Sequence, residues 1–107
     1  MTNITINKLN SEYELIVEGH SGYAEHGKDI VCASISTLTF TWINQLREFE
    51  RLCWAKITYF NAGDGKIVLK FETENKAVAW SFETVITGFL MISENFSQYL
   101  SVTRGEL

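Results

Sequence analysis

The sequence has no proline, only two cysteines, and no apolar run longer than that of Phe89 to Ile92. So short a run excludes a membrane-spanning helix, which needs about 20 apolar residues. Two cysteines cannot build the disulfide framework of a small secreted domain, and no C-x-x-C pair is present to suggest a redox or zinc motif. Basic residues are also in deficit: nine Lys and Arg against thirteen Asp and Glu leave a net charge of −4. That balance argues against a general nucleic-acid binder, whose basic footprint lifts the pI above about 9. It leaves room for contact with a basic protein. Met1 to Asn10 has neither a basic start nor an apolar core, so no secretory signal is expected there. There is no P-loop, no G-x-G-x-x-G after a strand and no G-x-S-x-G elbow. These absences together predict a cytoplasmic protein with reduced thiols and no cofactor. A Cys32–Cys53 disulfide is the alternative state of the two cysteines.

What is present points to one globular domain spanning residues 1–107. The chain is 46% hydrophobic and 21% charged, far from the composition of disorder. A chain of this size buries roughly two thirds of its unfolded surface and needs no staple.

Ile4 and Ile6 alternate with polar residues and predict a short strand; Tyr13, Leu15 and Val17 predict a second, joined to the first at Asn10-Ser11. Residues 20–28 (HSGYAEHGK) show no apolar period and form a long loop, a place where function concentrates. Asp29 is an N-cap residue before a helical stripe of Val31, Ile35, Leu38, Trp42, Leu46 and Phe49, giving a helix over about 30–50. Trp54–Phe60 and Lys66–Glu72 predict a second hairpin, with Asn61–Gly65 as its extended loop. A second helical stripe runs from Val78 through Phe82, Val85 or Ile86, Phe89 and Ile92 to Phe96, and Tyr99–Thr103 could close the chain as a strand. Gly88 in mid-helix suggests a close packing contact. The order ββαββα(β) implies an α+β fold of two layers: an antiparallel-rich sheet of four to five strands with both helices on one face.

The chemistry concentrates between Gly19 and Leu38. With Asp29 as the N-cap, Cys32 is the third residue of the helix, where backbone amides lack acceptors and the helix end is electropositive. Thiols in such places ionise more readily than elsewhere. A histidine nearby could take the thiol proton; His20, just after a strand, is better held for this than His26 in mid-loop. Free amides at the helix start could hold an oxyanion, and Ser36, one turn on, could orient the thiol or a peptide. Each residue also has a plainer role: Cys32 a small apolar residue, the histidines surface residues, Asp29 a cap, Ser36 a packing residue. Cys53, between helix and strand, reads as inert core. A four-ligand metal site from His20, His26, Cys32 and Cys53 fits no common zinc spacing, so no metal is expected.

The run Gly19, His20, Gly22, Tyr23, Ala24, Gly27, Asp29, Ile30, Val31, Cys32, Ala33 resembles the signature of the ribosomal-processing cysteine proteases, the Prp family of small bacterial proteins. The resemblance implies a cytoplasmic cysteine endopeptidase that removes the N-terminal extension of large-subunit ribosomal protein twenty-seven. It places the family's catalytic histidine on His20 and its nucleophile on Cys32, with Asp29 and Ser36 as supporting positions. It implies a homodimer and an apolar groove for an aromatic pair before the cut. The loop carrying Gly22, Tyr23 and Gly27 is expected to meet the substrate, and its stretch from Gly22 to Lys28 to order only when peptide binds. Ser21 and Ser34 depart from the pattern, where alanine is more usual. The competing reading is a non-enzymatic module that binds a basic ribosomal protein during ribosome assembly, with Cys32 merely structural.

Overall fold

The computed structural model describes residues 1–107, with β1 (Thr2–Leu9), β2 (Glu12–Glu18), α1 (Ile30–Arg51), β3 (Lys56–Gly63), β4 (Lys66–Glu72), α2 (Lys76–Asn95) and β5 (Leu100–Glu106). The strands form one sheet in the order β3-β4-β2-β1-β5. Every pairing is antiparallel except β1 with β5. That exception follows from connectivity, because α2 carries the chain back over the sheet before β5 begins, and parallel neighbours require such a crossover.

Strand periodicity places the core. Ile4 pairs with Val17 and Ile6 with Leu15; Leu15 pairs with Leu69 and Tyr13 with Phe71. All seven are buried and point to one face, as a period of two demands. Both helices cover that face. α1 contributes Val31, Ile35, Thr39, Trp42, Ile43, Leu46 and Phe49, and α2 contributes Val78, Phe82, Val85, Ile86 and Phe89. Trp42 stacks on Phe82 with ring centres 4.9 Å apart, and Phe71 meets Phe82 edge-on at 5.2 Å. Full burial of each large apolar side chain is worth about 1.5–3 kcal/mol, so this aromatic cluster holds the layers together. Gly88 is a close packing point: a Cβ there would sit 2.8 Å from Leu38 Cδ1.

The β3–β4 connection is shorter than its composition suggests. Asn61, Ala62 and Gly63 pair with Val68, Ile67 and Lys66, leaving only Asp64-Gly65 as the turn, with Gly65 at φ +71°. β3 is an edge strand, so its residues can be polar and exposed while their backbones stay paired. At its other end β3 starts at Lys56 rather than Trp54, because the Trp54 amide is taken by Phe49 O at the end of α1.

Cys53 is not core. It is exposed and lies just beyond α1 at φ +61°. Its amide donates to Glu50 O and that of Trp54 to Phe49 O, while the Trp54 and Phe49 rings stack at 5.8 Å. This is a left-handed helix cap with its usual apolar clasp, in a position that normally holds glycine. A disulfide to Cys32 is ruled out by the helix itself: α1 runs from Ile30 to Arg51, and its stretch between the two cysteines is about 28 Å long; both thiols are free.

Two substitutions test these backbone constraints. Cys53→Gly relieves the left-handed strain and is expected to stabilise the protein by about 0.5–1 kcal/mol, the penalty of a non-glycine there less the entropy glycine gains on unfolding. Gly19→Ala does the opposite. Gly19 has φ +94°, and a Cβ would lie 2.6 Å from the Met1 carbonyl oxygen. A loss of about 1–3 kcal/mol is expected. Urea melts of both variants beside the parent measure the two shifts.

Candidate active site

Residues 20–29 run from the end of β2 to the start of α1, and their burial is uneven. Ser21 and Asp29 are buried, at 2% and 9% exposure, while the stretch 22–28 between them is exposed. The loop is therefore anchored at both ends and open in the middle.

Asp29 makes the anchor. One carboxylate oxygen, Oδ1, accepts from the Cys32 amide at 2.9 Å. The other, Oδ2, accepts from the Ser21 hydroxyl and from the amides of Tyr23 at 3.1 Å and Ala24 at 3.3 Å. Burial alone would push this carboxyl up. The Ser21 hydroxyl and the amides of Cys32, Ala24 and Tyr23 outweigh burial and hold it at about 2, below its ordinary 3.8. A carboxylate that accepts from four donors has no proton to give, so Asp29 is a fixed acceptor.

Cys32 is half-buried and stands where the sequence predicts, as the third residue of α1. Its Sγ lies 3.4 Å from Ser21 Oγ, as donor to it. The two amides nearest the thiol are engaged, which narrows the expectation of free donors to the first two residues of α1. The Cys32 amide is taken by Asp29 Oδ1 and that of Ala33 by Asp29 O, because the cap residue satisfies the first turn with both its side chain and its backbone.

His20 is exposed and is held by the β3–β4 turn. The Gly19 amide donates to Gly65 O at 2.8 Å. The His20 Nε2 atom lies where a Cβ on Gly65 would come within 3.4 Å, so the bare glycine leaves the ring its place. His20 and Cys32 line one cleft of about 480 Å³ together with Gly22, His26, Gly27 and Ser36. The same four side chains, His20, His26, Cys32 and Ser36, also line an adjoining cavity of about 230 Å³ that reaches Gly65 and Lys66. The structure thus brings His20, Cys32, Asp29 and Ser36 to one place, although the thiol's own hydrogen bond goes to Ser21. Tyr23 leans away from the cleft. Its ring packs edge-on against Phe96 at 5.5 Å and Tyr99 at 5.2 Å, tying the loop to the end of α2.

Cys53 stays outside this constellation. It lines a larger cavity of about 630 Å³ at the other end of α1, beside Glu50, Trp54 and Glu74. That cavity is bigger but holds no histidine, so size does not locate the chemistry here. No group of three or more His, Cys, Asp or Glu side chains is arranged to hold a metal ion.

One residue that sequence reasoning passed over is Ser21. Its side chain touches both Asp29 and Cys32. The available signal was the departure itself, a hydroxyl beside His20 where the resembling pattern carries alanine.

Residues 1–101 match the family model of the cysteine protease Prp. The ribosomal processing cysteine protease Prp from two Staphylococcus aureus strains is 27% identical over 97 residues, covering 89% of this chain and 89% of the relative. In fold, the chain is similar to the crystal structure of S. aureus Prp in complex with a covalently linked product peptide. The TM-score is 0.81 at 21% identity, over 97% of this chain and 99% of the other. A Streptococcus mutans crystal structure gives a TM-score of 0.70 at 24% identity, over 100% of this chain and 96% of the other. The α+β order of strands and helices is shared with the S. aureus structure. A family model spanning residues 1–101 of 107 settles the assignment: the chain belongs to the Prp family of cysteine proteases.

Proposed function

We propose that this chain is the endopeptidase that removes the N-terminal extension of large-subunit ribosomal protein twenty-seven, with Cys32 as nucleophile and His20 as its general base. The observation that carries this reading is the shared cleft: the only half-buried thiol, at the start of α1, opens into the same space as His20. The S. aureus relative, captured with a covalently linked product peptide, supports a covalent route. A net charge of −4 suits a basic ribosomal substrate. The same reading places the enzyme in the cytoplasm as a homodimer, as the family resemblance implies.

The chemistry follows from the residues. His20 takes the thiol proton, and the sulfur attacks the scissile carbonyl carbon. The negative oxygen that forms needs hydrogen-bond donors. The Cys32 and Ala33 amides are engaged by Asp29, so the first-turn donors left for it are the amides of Ile30 and Val31. Collapse of the intermediate breaks the C–N bond, and His20 returns the proton to the leaving amine. Water then hydrolyses the thioester, freeing the acid and the thiol. With Tyr23 and Ala24 moored to Asp29, the exposed stretch 25–28 is the part of the loop left to close over the peptide. Asp29 supports the site as an anchor, and Ser36 supports it from the cleft wall.

Incubation with the extended precursor tests the reading. The parent is expected to yield the shortened product, Cys32→Ala none, and His20→Ala a rate lower by about 10²-fold or more. Cleavage that survives Cys32→Ala overturns the cysteine route, and binding without cleavage by the parent favours the assembly-module reading.

Asp29 carries a second test. Its folded value, about 2, lies below its ordinary 3.8, so its ionised form stabilises the fold above pH 3.8. This contribution is lost as pH falls through 3.8 toward about 2. Asn also serves as a helix cap, so Asp29→Asn removes the charge and keeps the cap. Thermal melts should show this variant below the parent at pH 7, with the gap closing as the pH approaches 2.

A further inference from the structure

The proton count around Ser21 has a defined solution. Asp29 accepts from Ser21 Oγ, Tyr23 N, Ala24 N and Cys32 N and holds no proton. Ser21 must therefore donate its single hydroxyl proton to Asp29 Oδ2. Its oxygen then presents only lone pairs elsewhere, toward the Tyr23 amide at 3.3 Å and toward Cys32 Sγ at 3.4 Å. A lone pair attracts an S–H proton and repels a thiolate. Ser21 is 2% exposed, so its oxygen is not shared with bulk water.

We propose that Ser21 is a positioning residue that holds the Cys32 thiol in its protonated form, turned toward the Asp29 anchor, in the free enzyme. The inference rests on Cys32 being the nucleophile only for its functional meaning; the hydrogen bond itself does not. To pass its proton to His20, the thiol must leave the Ser21 oxygen, or Ser21 must turn its own proton from Asp29 to the sulfur. The second motion is open because Asp29 keeps three backbone donors when the hydroxyl leaves. Atoms and charge balance in either case: one proton moves from sulfur to imidazole, and no other group changes its protonation. In a small protease with an exposed cleft, such a latch keeps the sulfur from reacting before a peptide arrives. The titratable groups facing Cys32 are Asp29 at its own helix start, His20 and His26 on the loop, and Lys66 on β4. Ser21→Ala leaves all of these in place.

The test uses the full chain carrying Cys53→Gly, so that Cys32 is the only thiol. Its alkylation by iodoacetamide is followed from pH 5 to pH 9, with and without Ser21→Ala. Losing one weak hydrogen bond to the thiol form should speed alkylation at pH 7 about threefold and move the midpoint of the pH profile down. Ser21→Thr, which keeps the hydroxyl, should restore the parent profile. An unchanged profile, or slower alkylation in Ser21→Ala, overturns the proposal, because slower reaction means that Ser21 donates to the thiolate. Should Ser21→Ala fail to fold, the infrared S–H band decides without it. The Cys32 band in the Cys53→Gly chain should lie below the Cys53 band of a Cys32→Ser chain, and coincident bands reject the latch. Alkylation responds to Ser21 whether or not the chain cleaves its precursor, so a failure here is separate from a failure of Cys32 as nucleophile.

Discussion

Four hydrogen bonds into one carboxylate hold the cleft together. Asp29 gathers the Ser21 hydroxyl, two loop amides and the Cys32 amide, so a single side chain caps the helix and moors the loop. Neither function would be strong alone. An N-cap is worth about 1 kcal/mol, and an exposed ten-residue connection has little reason to adopt one path. Joined through a buried charge, they fix where β2 ends relative to where α1 begins, which brings His20 and Cys32 to one cleft.

The same charge limits the helix end as a source of activation. The positive potential at a helix start arises from its unsatisfied amides. At α1, one of those amides, that of Cys32, already bonds to the Asp29 side chain, and the next, that of Ala33, begins the helix ladder at the Asp29 carbonyl. An ionised carboxylate on the thiol's own amide opposes any second negative charge nearby. In the proposed mechanism, activation of Cys32 therefore falls to His20, a group the cleft supplies from outside the helix. The helix contributes position: it keeps the thiol half-buried, at the wall of the cleft.

Most of the fold was legible in the sequence because burial writes a period. The alternation of Tyr13, Leu15 and Val17 and the stripes of α1 and α2 mark the faces that pack, and α1 runs from Ile30 to Arg51 where the pattern says it should. What the sequence hid is where backbone geometry, not burial, decides. Asn61 to Gly63 look like loop, yet they pair as an edge strand because backbone bonding does not need apolar side chains. Cys53 reads as a small apolar residue, yet it sits in a left-handed cap set by the way α1 ends. The candidate site divides the same way. His20, Cys32 and Asp29 could be named from spacing, but the engagement of the Cys32 amide and the place of Ser21 depend on which donor reaches which acceptor.

The turn at Asp64-Gly65 shows how far a site can lie from its motif. Nothing about G-D-G in the sequence is diagnostic. In the folded chain, Gly65 O accepts from the Gly19 amide, and the missing Cβ makes room for the His20 ring. Beside Thr2 and Val17 of the sheet, the cleft and its adjoining cavity are walled by three stretches: the loop, the first turns of α1 and the β3–β4 turn. Only the first two lie in the Gly19–Leu38 signature. The third reaches the site because β4 lies next to β2 in the sheet, and Glu18, the last residue of β2, pairs with Lys66, the first of β4. A shift of that register by one residue would reverse the faces of β4 and withdraw the turn from beneath His20. The core pairing of Leu15 with Leu69 therefore acts on the chemistry as well as on stability: the hydrophobic register that closes the sheet also sets the histidine's support.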